Sequence, residues 1–158
     1  MDPADKPLFQ ILLAEDNPAD VMLVRIALRN AGLTCALTVV DDGEKAISLI
    51  KQWDEDSNAP AIDLLLLDLH LPKREGGDIL NCLRSTERNA QSPVIVMTAS
   101  DAPEDHETAQ KYAAIHYFRK PNSLDEFMHL GVIARGVLAQ RKSSEKEISE
   151  PWSRGGAA

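Results

Sequence analysis

Five positions carry side chains suited to one piece of chemistry: Glu15, Asp16, Asp68, Thr98 and Lys120. Asp68 closes a nearly continuous apolar run that begins at Ala61 and is ended by the turn Leu71-Pro72. A run that short and apolar reads as a strand buried on both faces of a parallel sheet. An acid at its carboxyl end lies where open α/β sheets place their ligands, as a nucleophile or a metal holder. Glu15 and Asp16 follow a second buried run, Phe9–Ala14. Three crowded carboxylates repel one another, and a hard divalent cation relieves that. Magnesium suits the set, because it takes oxygen ligands and keeps several waters. Asp68 can then attack a phosphoryl group to give an acyl phosphate, whose oxygens Lys120 and Thr98 would hold.

Those side chains need elements that bring them to one edge. Asn17 can cap a helix with Pro18 in its first turn and Asp20 completing a capping box; Gly32 stops it. A second strand lies around Cys35–Val40, and Asp41-Asp42-Gly43 opens a helix to about Trp53. Residues 54–60 are a polar loop before the Asp68 strand. A third helix is expected to about Arg88, then strand Pro93–Met97 ending in Thr98. A helix with Pro103 in its first turn, the strand Ile115–Arg119 and a last helix capped by Ser123 follow, the last running to about Arg141. Five strands alternating with five helices make a doubly wound parallel sheet with helices on both faces. Residues 1–7 read as a flexible leader, 8–141 as one domain, and 142–158 as a disordered charged and Gly/Ala-rich tail.

The totals exclude several classes. With 158 residues and 44% hydrophobic content, the chain suits one globular domain. A net charge of −8 argues against nucleic acid or an anionic membrane as partner. No run is long enough to span a membrane and the acidic start is no signal peptide, so a cytoplasmic location is expected. Cys35 and Cys82 lack metal-ligand spacing and read as reduced, buried residues.

Over roughly residues 8–140 the chain resembles the receiver domain of two-component response regulators. Glu15-Asp16, Asp68 with Leu71-Pro72 and Gly76 after it, Thr98-Ala99 and Lys120-Pro121 stand in the family's order and at its intervals. The resemblance implies a flavodoxin-like, three-layer fold with five parallel strands in the order 2-1-3-4-5, two helices on one face and three on the other. It implies that Asp68 is the phosphoacceptor and Asp16 a direct magnesium ligand. Glu15 would act through a metal-bound water, and His70 would offer its backbone carbonyl to the metal. Thr98 and Lys120 would contact the phosphoryl group, Tyr117 would be the switch aromatic that follows Thr98, and the bond before Pro121 would be cis.

The chain departs from that pattern in places. His70 stands where Asn is common, and its imidazole can reach the phosphoryl group or the attacking water. The interval from Asp16 to Asp68 is long, and the polar loop 54–60 accommodates the excess, away from the site. In the last helix Leu124, Phe127, Met128, Gly131, Ala134 and Leu138 form one apolar face, and Leu130, Ile133 and Val137 a second stripe. A helix apolar on two sides has two neighbours. The second stripe is therefore expected to form a homodimer or partner face.

Plainer readings stand beside these. Glu15 and Asp16 can be helix-start charges favoured by the dipole, Lys120 a surface lysine, and Tyr117 a half-buried strand aromatic. The expectation is a single-domain response regulator, not an enzyme beyond its own phosphorylation and dephosphorylation. It would take its phosphoryl group from a sensor histidine kinase, of the phytochrome type, or from a phosphotransfer protein, and signal by protein contacts. The alternatives are a receiver-like interaction module that turns over no phosphate, and a flavodoxin-like cofactor binder. The second needs a hydroxyl- or glycine-rich phosphate loop where Glu15 and Asp16 stand.

Overall fold

The computed structural model describes residues 8–149, with side chains from 8 to 141. Residues 1–7 and 150–158, expected as leader and part of the tail, lie outside the described residues. The strands are β1 (Phe9–Ala14), β2 (Cys35–Val40), β3 (Leu64–Asp68), β4 (Val94–Thr98) and β5 (His116–Arg119). The helices are α1 (Pro18–Asn30), α2 (Gly43–Glu55), α3 (Gly76–Arg84), α4 (Pro103–Lys111), α5 (Leu124–Phe127) and α6 (His129–Ser149). All strand pairs are parallel and the order is β2-β1-β3-β4-β5, as expected.

Alternation along the strands builds two cores. Leu12, Leu65, Leu67, Val94 and Val96 point to one face and pack with Ala46, Ile50, Ile79, Leu80 and Ala109 of α2, α3 and α4. Ile11, Leu13, Leu64, Leu66, Ile95 and Met97 point to the other, against α1, α5 and α6. β3 and β4 are buried at every residue, so both read as unbroken apolar runs.

The last helix corrects two expectations. It is not one helix to Arg141: α5 ends at Phe127, and α6 starts at His129 and reaches Ser149 through the expected tail. Lys and Glu between 142 and 149 are good helix formers, and the first helix breaker comes at Pro151. The second stripe is no free face either. Leu130 and Val137 are 0% and 4% exposed and, with half-buried Ile133, join the core beside Phe127, Ala134 and Leu138. The helix does have two neighbours, but both are internal: the sheet and α1. At the crossing Gly131 lies against Ala27, where a Cβ would overlap the Ala27 carbonyl oxygen. Leu124, expected to face the sheet, is exposed instead.

α3 is shorter than expected and stops at Arg84. Ser85 Oγ donates to Asn81 O and Thr86 Oγ1 to Leu83 O, which satisfies carbonyls that a further turn would have used. The loop 54–60 is fastened by Arg88, which donates to the carbonyls of Trp53, Asp56 and Ala59. It joins α2 to the start of β3, at the sheet edge opposite the ends that carry Asp68 and Thr98. No helix among the described residues is long and apolar enough to cross a membrane.

Candidate functional site

The carboxyl ends of the strands converge as the parallel topology requires. β1 delivers Glu15 and Asp16, β3 ends on Asp68, β4 ends on Thr98, and Lys120 follows β5. Glu15 continues the β1 ladder, its N–H donating to Val40 O at 3.0 Å. Asp68 pairs with Met97 in the β3–β4 register, so Thr98 sits one residue further along the neighbouring strand. Lys120 is set by its own N–H, which donates to Thr98 O at 2.8 Å.

Oxygen atoms of Glu15, Asp16 and Asp68 all lie within 4.8 Å of one another. Glu15 is 1% exposed and Asp68 8%, while Asp16 faces solvent. The Lys120 ammonium lies 2.7 Å from Glu15 Oε2 and 3.0 Å from Asp68 Oδ2. Burial pushes the Glu15 carboxyl up to about 7 against the pull of the Lys120 ammonium. Burial also works against the Lys120 charge, but the carboxylates of Asp20, Glu15 and Asp68 around it outweigh that and hold its pKa above the ordinary lysine range. Even with Lys120 in place the site is short of positive charge, and its hard oxygen donors fit magnesium.

Asp68 is held at both oxygens: Oδ1 accepts from His70 N at 2.9 Å, and Oδ2 from Lys120 Nζ. Thr98 is fully buried, and its Oγ1 accepts from Ser100 N at 3.1 Å. Tyr117 is half-buried. Its hydroxyl donates to Ser100 O at 2.9 Å, and its ring stacks on His106 with centroids 3.8 Å apart. Burial, followed by the nearby charges of Asp105 and Asp101, pushes the Tyr117 hydroxyl up. The peptide bond before Pro121 is trans, as are all described bonds, where a cis bond was expected. Trans is the ordinary isomer, favoured by about 0.5–1 kcal/mol even before proline.

Two residues of the site carry no signal of their role in the sequence. Asp20 was expected to complete the α1 capping box, but its carboxylate bonds Lys120 Nζ at 2.8 Å. The Asn17 N–H it would have capped donates instead to Glu15 Oε1, while Asn17 Oδ1 accepts from Ala19 N. Asp105, buried on α4, bonds His70 Nε2 at 2.7 Å. The His70 ring therefore reaches sideways to α4 and not into the carboxylate cluster. No spacing rule links Asp105 to His70; only the fold brings them together.

Comparison with known proteins agrees with this geometry. The response regulator receiver domain model matches residues 11–130. The response regulator Rcp1 of Synechocystis sp. is 31% identical over 120 residues, covering 76% of this chain and 82% of Rcp1. The phosphorylated cyanobacterial phytochrome response regulator RcpA superposes with a TM-score of 0.71 at 31% identity, over 83% of this chain and 91% of RcpA. The receiver domain of the sensor histidine kinase PA1611 from Pseudomonas aeruginosa, solved with magnesium in its active-site cleft, gives a TM-score of 0.66 at 26% identity. That match covers 84% of this chain and 99% of the other. Fold, site and family model coincide over the same residues, and the chain belongs to the response regulator receiver domain family.

Proposed function

We propose that this protein is a cytoplasmic response regulator that accepts a phosphoryl group on Asp68 and passes the signal on through protein contacts. The observation that carries this reading is the placement of Asp68. One of its oxygens is 3.0 Å from the Lys120 ammonium, and the carboxylate belongs to the Glu15–Asp16–Asp68 cluster.

Glu15, Asp16 and Asp68, with the backbone carbonyl of His70, would hold magnesium. When bound, the ion neutralises charge on the phosphoryl oxygens. The rest falls to the chain. An Asp68 carboxylate oxygen forms the new O–P bond while the donor's bond to phosphorus breaks. That bond is P–N in a phosphohistidine donor, and its electron pair leaves with the donor nitrogen. The Lys120 N–H that now meets Asp68 Oδ2 can follow the charge onto a phosphoryl oxygen. Thr98 Oγ1 accepts from Ser100 N, which leaves its O–H to donate to another. A shift of Thr98 and Ser100 would pull on the Ser100 carbonyl that Tyr117 holds, and through Tyr117 on His106 of α4.

The donor in this reading is a sensor histidine kinase or a phosphotransfer protein. Likeness to Rcp1 and to the phytochrome response regulator RcpA supports a phytochrome-type kinase. Incubation with acetyl phosphate and magnesium, followed by intact mass, tests the proposal. The expected result is a single phosphoryl adduct that EDTA prevents. No adduct, with the donor left unhydrolysed, would leave a receiver fold that works by contact alone.

A further inference from the structure

Lys120 Nζ meets three carboxylates at once: Glu15 Oε2 at 2.7 Å, Asp20 Oδ2 at 2.8 Å and Asp68 Oδ2 at 3.0 Å. Two of its N–H groups donate to Asp20 and Asp68, while Glu15 Oε2 is met as an ion pair without a hydrogen bond. The three acids are not equivalent. Glu15 and Asp68 belong to the carboxylate cluster that would hold the metal, and Asp68 is also the acceptor. Asp20 lies outside that cluster, in the first turn of α1. Its side chain is 20% exposed, against 11% for that of Lys120.

We infer that Asp20 is a positioning residue for the phosphoryl transfer, anchoring the Lys120 ammonium beside Asp68 throughout the reaction. The inference rests on Asp68 being the acceptor. When the oxygens of Glu15 and Asp68 are engaged by metal and phosphoryl group, their hold on Nζ weakens. Asp20 then remains as the one of the three whose oxygens have no other task. It is also unavailable to the helix cap, because the Asn17 N–H is taken by Glu15 Oε1. The long lysine chain has many rotamers, and a charge-assisted bond from the rigid first turn of α1 restricts them. The N–H released by Asp68 is thereby kept on the acceptor side.

The test is the rate of Asp68 phosphorylation by acetyl phosphate in saturating magnesium, followed by intact mass at several donor concentrations. Asp20→Asn should lower the maximal rate roughly ten-fold, the size expected when the charge-assisted bond from a poorly placed Lys120 to the phosphoryl group is weakened in the transition state. The half-saturating donor concentration should change much less. Asp20→Glu should recover part of the rate. In a Lys120→Met background, Asp20→Asn should have no further effect, because Asp20 acts through Lys120. Should Asp20→Asn unfold by circular dichroism, Asp20→Ser takes its place. A wild-type maximal rate in Asp20→Asn, or an equal loss with and without Lys120, overturns the inference while leaving Asp68 as acceptor. Failure of the wild-type protein to be labelled overturns both.

Discussion

His70 Nε2 lies 2.7 Å from Asp105 Oδ2, while the backbone N–H of the same His70 donates to Asp68 Oδ1 at 2.9 Å. One residue thus joins the acceptor carboxylate to the first turn of α4. The next residue along that helix, His106, stacks on Tyr117 and bonds Asp101 at 2.9 Å. Adjacent residues of α4 therefore tie it to the acceptor loop on one side and to the strand aromatic on the other. Both ties flank the route by which a change at Asp68 would reach the α4 surface.

The bond to Asp105 holds the His70 ring, whose side chain is 59% exposed, away from the acceptor. Asp105→Ala should free the imidazole to assist water attacking the acyl phosphate, shortening its lifetime about three- to ten-fold. That is a small part of what a well-placed general base achieves. The measurement is decay of the phosphorylated mass after the donor is removed. An unchanged lifetime, or the same acceleration when His70→Asn is added, would contradict this.

Glu15 makes stability depend on pH in an unusual sense for a carboxylate. Its pKa is raised from 4.5 to about 7 by burial, so between those values the folded chain binds more protons than the unfolded one. The stability that Glu15 contributes is then fully present below 4.5 and is lost as pH rises through about 7, at most about 3 kcal/mol. Urea unfolding in EDTA should show that decline between pH 5 and 7.5. Glu15→Gln should flatten it, and magnesium should restore stability at the upper end. A metal-free decline of equal size in Glu15→Gln would assign it to other groups.

Two glycines of α6 give opposite expectations. At Gly131 an added Cβ would run into the Ala27 backbone of α1, whereas at Gly136 nothing lies within 4 Å. Gly131→Ala should destabilise by about 1–3 kcal/mol through forced separation of the helices. Gly136→Ala should stabilise by about 0.5–1 kcal/mol through helix propensity. Thermal melts of both decide it, and equal effects would mean that α1 and α6 do not cross so closely.

Arg88→Ala removes three bonds to the 53–59 backbone. It should lower stability by about 1–3 kcal/mol while leaving the rate of phosphorylation by acetyl phosphate within two-fold of wild type. A large loss of that rate would mean the inserted loop communicates with the site.

The parts of this fold that announce themselves are those where one principle decides. β3 and β4 are short apolar runs buried on both faces, and a parallel sheet then sends Glu15, Asp68, Thr98 and Lys120 to one edge. Asn17 and Ser123 cap α1 and α5 as their types dictate. What stayed hidden depends on long-range pairing. Leu130 and Val137 read as a surplus stripe until the Gly131–Ala27 contact shows that α1 is the second neighbour. Asp20 fits a capping box by spacing, but a buried ammonium 100 residues away competes for it more strongly than a backbone N–H. Asp105 is one of several acids in a polar helix, and only the docking of α4 beside the acceptor loop selects it for His70.

Phosphoryl acceptance comes down to one oxygen–phosphorus bond, and locating that bond is the decisive measurement. The protein is labelled with acetyl phosphate and magnesium, reduced with borohydride to fix the acyl phosphate position, and mapped by tandem mass spectrometry. A single modified residue, Asp68, is expected, with no adduct in Asp68→Asn under the same conditions. A modification at another residue, or labelling of Asp68→Asn at the wild-type rate, would contradict it.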